Sequence, residues 1–250
     1  MSGETAASPA GPEQARVRNP YSPLPNWLYP AFVVLVLGLF GLYAAFVVFF
    51  QTRGYFAPYL SPFYSPQINV GVIPPAIWIA WIPGAFRVTC YYYRKAYFRA
   101  FFWHPRSCAV PEPGRGTYRG EGAFPMVLNN LHRFAFYLTV VQVCFLWFDV
   151  VMAFNFSGRI GLGLGTVLML LNVVLLSGYT FGCHACRHLV GGSLDCFSCH
   201  KARFQLWKGV TILNVRHDRW AWFSLFSVLL TDLYIRGLIY GWWQDPRLLA

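Results

Sequence analysis

The stretch Ile160-Gly-Leu-Gly-Leu-Gly-Thr-Val-Leu-Met-Leu-Leu-Asn-Val-Val-Leu-Leu-Ser-Gly-Tyr-Thr-Phe181 runs directly into Gly182-Cys-His-Ala-Cys-Arg-His188. The first part is uncharged and long enough to cross the hydrocarbon of a bilayer, which takes roughly 20 residues. The second part opens a dense set of metal-binding side chains. Together with Cys196-Phe-Ser-Cys-His200 it places four of the seven cysteines and three of the six histidines within Gly182–His200. Soft and borderline ligands at this density, beside a membrane span, point to a metal or iron–sulfur site rather than to packing.

The whole composition agrees with a membrane setting. Hydrophobic residues make up 56% of the 250 residues and charged ones 12%, about half the charged share of a soluble domain. Five apolar segments have the length of a span: Trp27–Phe50, Ala76–Tyr93, Phe134–Phe154, Ile160–Gly182 and Trp220–Trp242. The expected fold is therefore an all-α integral membrane protein of five transmembrane helices over residues 27–250, preceded by a Pro-rich, disordered tail over 1–26. No small-residue cleavage site follows the first apolar run, which reads as an anchor and not a signal peptide.

The net charge of +11 does not indicate nucleic acid, because its distribution follows membrane topology. The tail, the segment 94–133 and the segment 187–219 carry two, seven and six Lys or Arg, fifteen in all, against four on the alternate loops and C-terminus. The positive-inside rule then puts the N-terminus and both basic loops in the cytoplasm. Trp27, Tyr29, Trp220, Trp242 and Trp243 fall at span ends, as an aromatic belt requires. The cysteine cluster lies on the cytoplasmic side, where thiols stay reduced and disulfides are not expected.

Along the chain, the prolines and aromatics of Gln51–Pro75 describe a compact cap on the outer interface. Arg87 lies about two turns inside Arg94, so its charge should face a polar cavity, a partner or a ligand. His104–Pro125, rich in Gly and Pro, reads as a cytoplasmic loop. His132 stands just inside the third span, and Asp149, near its far end, is expected to be solvated or paired with Arg159. Gly161 and Gly165 form a small-xxx-small pair suited to close helix contact. Gly191-Gly192 should end the helix carrying the cysteine motif. Asp232 and Arg236, four apart, can neutralise one another.

Four metal chemistries are compatible with the cysteine–histidine stretch. On a regular helix, at about 100° per residue, Cys183 and Cys186 occupy one face at roughly 0° and 300°. His184 and His188 fall at roughly 100° and 140°, so all four meet only if the helix unwinds. A Rieske-type 2Fe–2S cluster takes two thiolates and two imidazoles, with His132, His200 and His217 also at the right depth. Cys183, Cys186, Cys196 and Cys199 have the spacing of a four-cysteine structural zinc site. Cys196–His200 matches a c-type haem attachment motif, although that attachment takes place outside the cytoplasm. A b-type haem held between His132 and His184 is the fourth, implying a quinol oxidoreductase.

Four strings carry a resemblance: Phe86-Arg-Val-Thr-Cys-Tyr-Tyr-Tyr-Arg-Lys-Ala-Tyr97, Asn130-Leu-His-Arg-Phe134, Cys183-His-Ala-Cys-Arg-His-Leu-Val-Gly-Gly192 and Val215-Arg-His217. They resemble the membrane-anchor (SdhC-type) subunit of type F actinobacterial succinate dehydrogenase, respiratory complex II, from about residue 50 to the end. The resemblance implies a five-helix anchor with a membrane-embedded Rieske-type 2Fe–2S cluster. It also implies a flavoprotein and an iron–sulfur subunit on the cytoplasmic face, and electron transfer from succinate to a quinone (menaquinone) in the cytoplasmic membrane. The expected cluster ligands are Cys183 and Cys186 with two histidines drawn from His184, His188, His132 and His217. Arg87, Tyr91, His132 and Arg133 are the candidates for the quinone pocket. Cys196 and Cys199 are demoted as cluster ligands, and the non-redox alternative is a polytopic protein with a zinc-stabilised loop.

Overall fold

The structure is a computed structural model. It describes residues 25, 27–68, 73–103, 122–124, 126–156, 158–192, 195–196 and 198–249. The tail read over 1–26, apart from Pro25, lies outside the described residues. So does most of the loop His104–Pro125, including Cys108.

The chain is helical nearly throughout. In order it forms α1 (Leu28–Phe50), α2 (Pro75–Ile79), α3 (Trp81–Thr89), α4 (Tyr91–Phe102), α5 (His132–Met152), α6 (Leu164–Phe181), α7 (His184–Gly191), α8 (Lys201–Val215) and α9 (His217–Ile239). Short 3-10 helices at Pro62–Tyr64 and Met126–Leu131 precede α2 and α5. Among the described residues four helical stretches are long and apolar enough to cross a membrane: Leu28–Phe50, Met126–Met152, Leu164–Phe181 and His217–Ile239. These correspond to four of the five expected spans.

The remaining one, Ala76–Tyr93, is not a single rod but the succession α2, α3 and the start of α4. Pro83 has no N–H to give to the Ile79 carbonyl, and its ring crowds that oxygen. The ladder therefore lapses at Ala80, although that residue keeps helical dihedrals (φ −64°, ψ −24°). Cys90 makes the true break: at φ −64°, ψ 129° it is extended, and α4 sets off anew from it.

Helix α6 packs chiefly on α9, and α5 packs on both α3 and α6. At one such contact a Cβ on Gly178 would come within 2.6 Å of the Trp220 ring, so glycine there sets the α6–α9 approach. Helix α1 lies at the rim and buries only Val33 and Val47. Most of its apolar surface faces outward, as lipid contact permits.

The cap after α1 is compact, as expected. Tyr55–Phe56 (β1) pairs with Tyr59–Leu60 (β2), and Tyr59, Phe63 and Tyr64 are buried. Asn155–Phe156 (β3) and Arg159–Ile160 (β4) form a hairpin, and Leu162–Gly163 (β5) takes up the C-terminal strand Arg247–Leu249 (β6). Gly161 thus lies outside any helix, and Gly165 meets the Tyr59 ring (2.6 Å from a built Cβ). The small-residue pair therefore receives cap and hairpin aromatics rather than a second helix.

Asp232 and Arg236 pair as expected, Nε to Oδ2 at 2.7 Å, with both side chains buried. Tyr43 Oη and Ser61 Oγ also donate to the Asp232 carboxylate, which ties the cap to α1 and α9. Asp149 departs from expectation: it is half-buried and accepts from Ser65 Oγ of the cap, with no ion pair to Arg159 among the described residues. The segment read as the second basic loop, 187–219, is largely helical. Helix α8 docks on α7 because Gly191 leaves room for the Trp207 ring (2.4 Å from a built Cβ). Arg203 Nε then donates to the half-buried Val190 carbonyl at 2.6 Å.

Candidate metal centre

Four helix junctions converge on one pocket. Cys90 is the extended residue between α3 and α4, and Cys183 the extended residue (φ −69°, ψ 149°) between α6 and α7. His132 is the first residue of α5, and His217 the first of α9. A regular helix would carry Cys183 and His184 on around the axis. The break at Gly182–Cys183 instead frees the Cys183 thiol, which caps α7 by accepting from Ala185 N at 3.4 Å. The unwinding that a joint site requires is present, one residue before the motif's first histidine.

The pocket has a volume of about 350 Å³ and is lined by Cys90, Tyr91, Tyr92, His132, Cys183, His184, Asn214 and His217. Its donors fall into two pairs. His132 Nε2 lies 2.9 Å from Cys183 Sγ, and His217 Nε2 lies 3.5 Å from Cys90 Sγ. Both thiols and His132 are buried.

Each imidazole is backed by an aromatic ring. His132 stacks on Phe86 (centroids 4.8 Å, 6° between planes), and His217 on Tyr179 (4.9 Å, 14°). Thr89 Oγ1 gives its proton to the Ala85 carbonyl at 2.7 Å and lies 2.9 Å from His132 Nδ1. With its own proton committed, the hydroxyl accepts from Nδ1–H. That assignment leaves the Nε2 lone pair facing Cys183. His217 Nδ1 is buried without a hydrogen-bond partner among the described residues.

Burial pushes the Cys183 thiol up to about 12, and neighbouring Cys90 adds to the rise. Without metal the thiol is protonated at neutral pH, and a metal must displace that proton to bind.

The expected residues divide. Cys183, His132, His217 and His184 line the pocket, with His184 at its exposed mouth. Cys186 is buried in the surrounding core but does not line it. His188 is exposed and packs edge-on against His184 (4.4 Å). The two thiols that line the pocket are Cys183 and Cys90, because the chain is extended at both of those residues while Cys186 stays inside α7. Of the quinone candidates, Tyr91 and His132 line the pocket. Arg87 is turned inward: it donates to Tyr93 Oη, to the Ala221 carbonyl (3.2 Å) and to Ser224 Oγ (3.0 Å). Its guanidinium rests 4.7 Å from the centre of the Tyr179 ring. Arg133 points outward, Nε donating to Tyr137 Oη at 2.9 Å.

Cys196 and Cys199 are joined to one another by a disulfide. This differs from the expectation of reduced thiols there. The C-x-x-C turn brings the two Cα atoms to 5.4 Å, within the span a disulfide bridges.

Two thiols and two imidazoles are the mixed donor set of a Rieske-type 2Fe–2S cluster. Among the described residues no three His, Cys, Asp or Glu side chains converge as ligands of one ion. A Rieske-type cluster takes both thiolates on one iron and both imidazoles on the other; all four donors line one cavity here, with each thiol facing an imidazole. The orphaned His217 nitrogen and the aromatic backing of both imidazoles fit the same group.

The family described as actinobacterial succinate dehydrogenase subunit SdhC matches residues 28–241. A chain of the Mycobacterium smegmatis Sdh1 complex in the apo form is similar in structure, with a TM-score of 0.80 and 37% sequence identity over 91% of this chain and 93% of that one. No curated protein matches.

Proposed function

The chain belongs to the actinobacterial succinate dehydrogenase SdhC family, and from that premise we propose that it carries electrons from a partner iron–sulfur subunit to a membrane quinone. It is a multi-pass membrane anchor and part of an enzyme complex with other succinate dehydrogenase subunits. We place five crossings in it, counting the broken α2–α4 path as one, with the N-terminus in the cytoplasm by the charge asymmetry of the loops. The observation that carries the proposal is the convergence of Cys90, Cys183, His132 and His217 on one pocket.

These four residues would hold a Rieske-type 2Fe–2S cluster. Such a group supplies one-electron transfer between the partner's iron–sulfur centres and a quinone. This chain's residues do the rest. Thr89 fixes the His132 tautomer, and Phe86 and Tyr179 hold the two imidazole planes. Arg87 keeps a permanent positive charge one aromatic ring away from His217, where it stabilises negative charge arriving in the pocket. Tyr91 and His184, with ring centroids 6.2 Å apart at the exposed mouth, are the groups placed to meet a quinone head.

In the assembled complex, Cys183→Ser should abolish quinone reduction while succinate oxidation by a soluble artificial acceptor continues. Undiminished quinone reduction in that variant overturns the proposal.

A further inference from the structure

The end of the bundle remote from the Cys–His pocket holds a second, larger cavity of about 1160 Å³. It lies near Asp149, 17 positions beyond His132 on α5, which is roughly 25 Å along the helix axis. Its walls are of two kinds. On α5, Cys144, Phe148 and Met152 are spaced four apart and make one exposed apolar strip roughly 12 Å long on a helix of spanning length. At the head of the strip stand Arg159 and Arg247. Arg159 is the cross-strand partner of Phe156, and the Arg247 guanidinium lies over the Phe156 ring at 5.4 Å. Both cations are thus gathered at one aromatic side chain. Both are exposed, and neither has an ion pair with a carboxylate among the described residues. The cavity also holds one carboxylate, Asp149, which accepts from Ser65 Oγ of the cap and has no ion pair to either arginine among the described residues.

We propose that this cavity binds one anionic phospholipid, its phosphodiester held by Arg159 and Arg247 and an acyl chain laid along Cys144, Phe148 and Met152. Two exposed guanidiniums against one carboxylate, with no ion pair among the described residues, favour a phosphate, to which arginine presents a planar pair of donors. A quinone head is neutral and leaves both charges uncompensated. A free phosphate uses the arginines but leaves the apolar strip empty. An amphiphile satisfies both halves, as basic pockets between membrane helices do for acidic headgroups. The lipid would then join four segments that meet here: the cap, the β3–β4 hairpin, the C-terminal strand and α5.

The test uses the intact complex, stripped of lipid in a mild detergent, with thermal unfolding and bound-lipid extraction as readouts. Phosphatidylglycerol should raise the unfolding temperature, whereas phosphatidylcholine, inorganic phosphate and a short-chain quinone should not. Because both side chains are exposed, Arg159→Gln with Arg247→Gln should fold normally and weaken phosphatidylglycerol binding at least tenfold. Arg159→Lys with Arg247→Lys should fall between that variant and the wild type. Equal response to phosphatidylcholine, an undiminished response in the double glutamine variant, or co-purification of quinone at this site in place of phospholipid overturns the proposal. Neither readout depends on redox turnover, so the result stands apart from the fate of the cluster assignment.

Discussion

Thr89→Val replaces the hydroxyl that accepts from His132 Nδ1 with a methyl group of the same shape. His132 is 4% exposed and Thr89 7%, so no solvent substitutes for the lost acceptor. Leaving a buried donor unpaired costs about 1–3 kcal/mol. The imidazole is then free to take the other tautomer or to turn on the Phe86 face. At about 1.4 kcal/mol per factor of ten, that cost corresponds to roughly 10- to 100-fold weaker metal retention, the usual effect of removing a hydrogen bond behind a ligand histidine. The assay is iron release from the purified complex to a ferrous chelator, followed by absorbance and referred to flavin content. Thr89→Ser keeps the hydroxyl and should release iron at close to the wild-type rate. If Thr89→Val holds its iron as tightly as Thr89→Ser, the tautomer argument fails, and with it the role of His132 Nε2 as a ligand.

Two further perturbations separate residues that look equivalent in the sequence. Cys90→Ala should remove the cluster's iron and Cys186→Ala should retain most of it, measured as iron per flavin; the reverse order would restore the C-x-x-C pair as the thiolate ligands. Asp232→Ala strips three donors of their carboxylate and leaves Arg236 buried without a counter-ion, which costs about 3–5 kcal/mol. Replacing both Asp232 and Arg236 with leucine should recover part of that loss. An unchanged unfolding temperature in the single variant would contradict this role.

The long rods were legible because apolar length is a local property: α1, α5, α6 and α9 each announce themselves within one window of sequence. The neighbourhood of the site was legible for the same reason, since the density of Cys and His after Phe181 needs no tertiary information. Cys90 was not. It lies 93 positions before Cys183, and nothing local pairs them. The signals that could have found it are Pro83, which weakens the span about two turns before Cys90, and the equal depth of Cys90 and His132 at the same membrane boundary.

Helical projection showed that a joint site needs the helix to unwind at Cys183, but not that it does. It assumes a continuous helix, whereas Gly182 ends α6 against Leu213 and Gly178 with no room for a Cβ. Arg87 was rightly singled out as a charge needing company. It found that company in Tyr93 of its own string, and in Ser224 and the Tyr179 ring, both distant in sequence. Asp149 shows the same limit, because its partner Ser65 stands 84 positions away in the cap.

The most direct measurement is iron quantitation with electron paramagnetic resonance on the reduced, anaerobically purified complex. It should be made on wild type and on Cys183→Ser alongside. The wild type should contain two irons beyond those of the partner subunits and a mixed thiolate–imidazole 2Fe–2S signal, and both should be missing from the variant. Equal iron and identical spectra in the two preparations would contradict a cluster in this anchor.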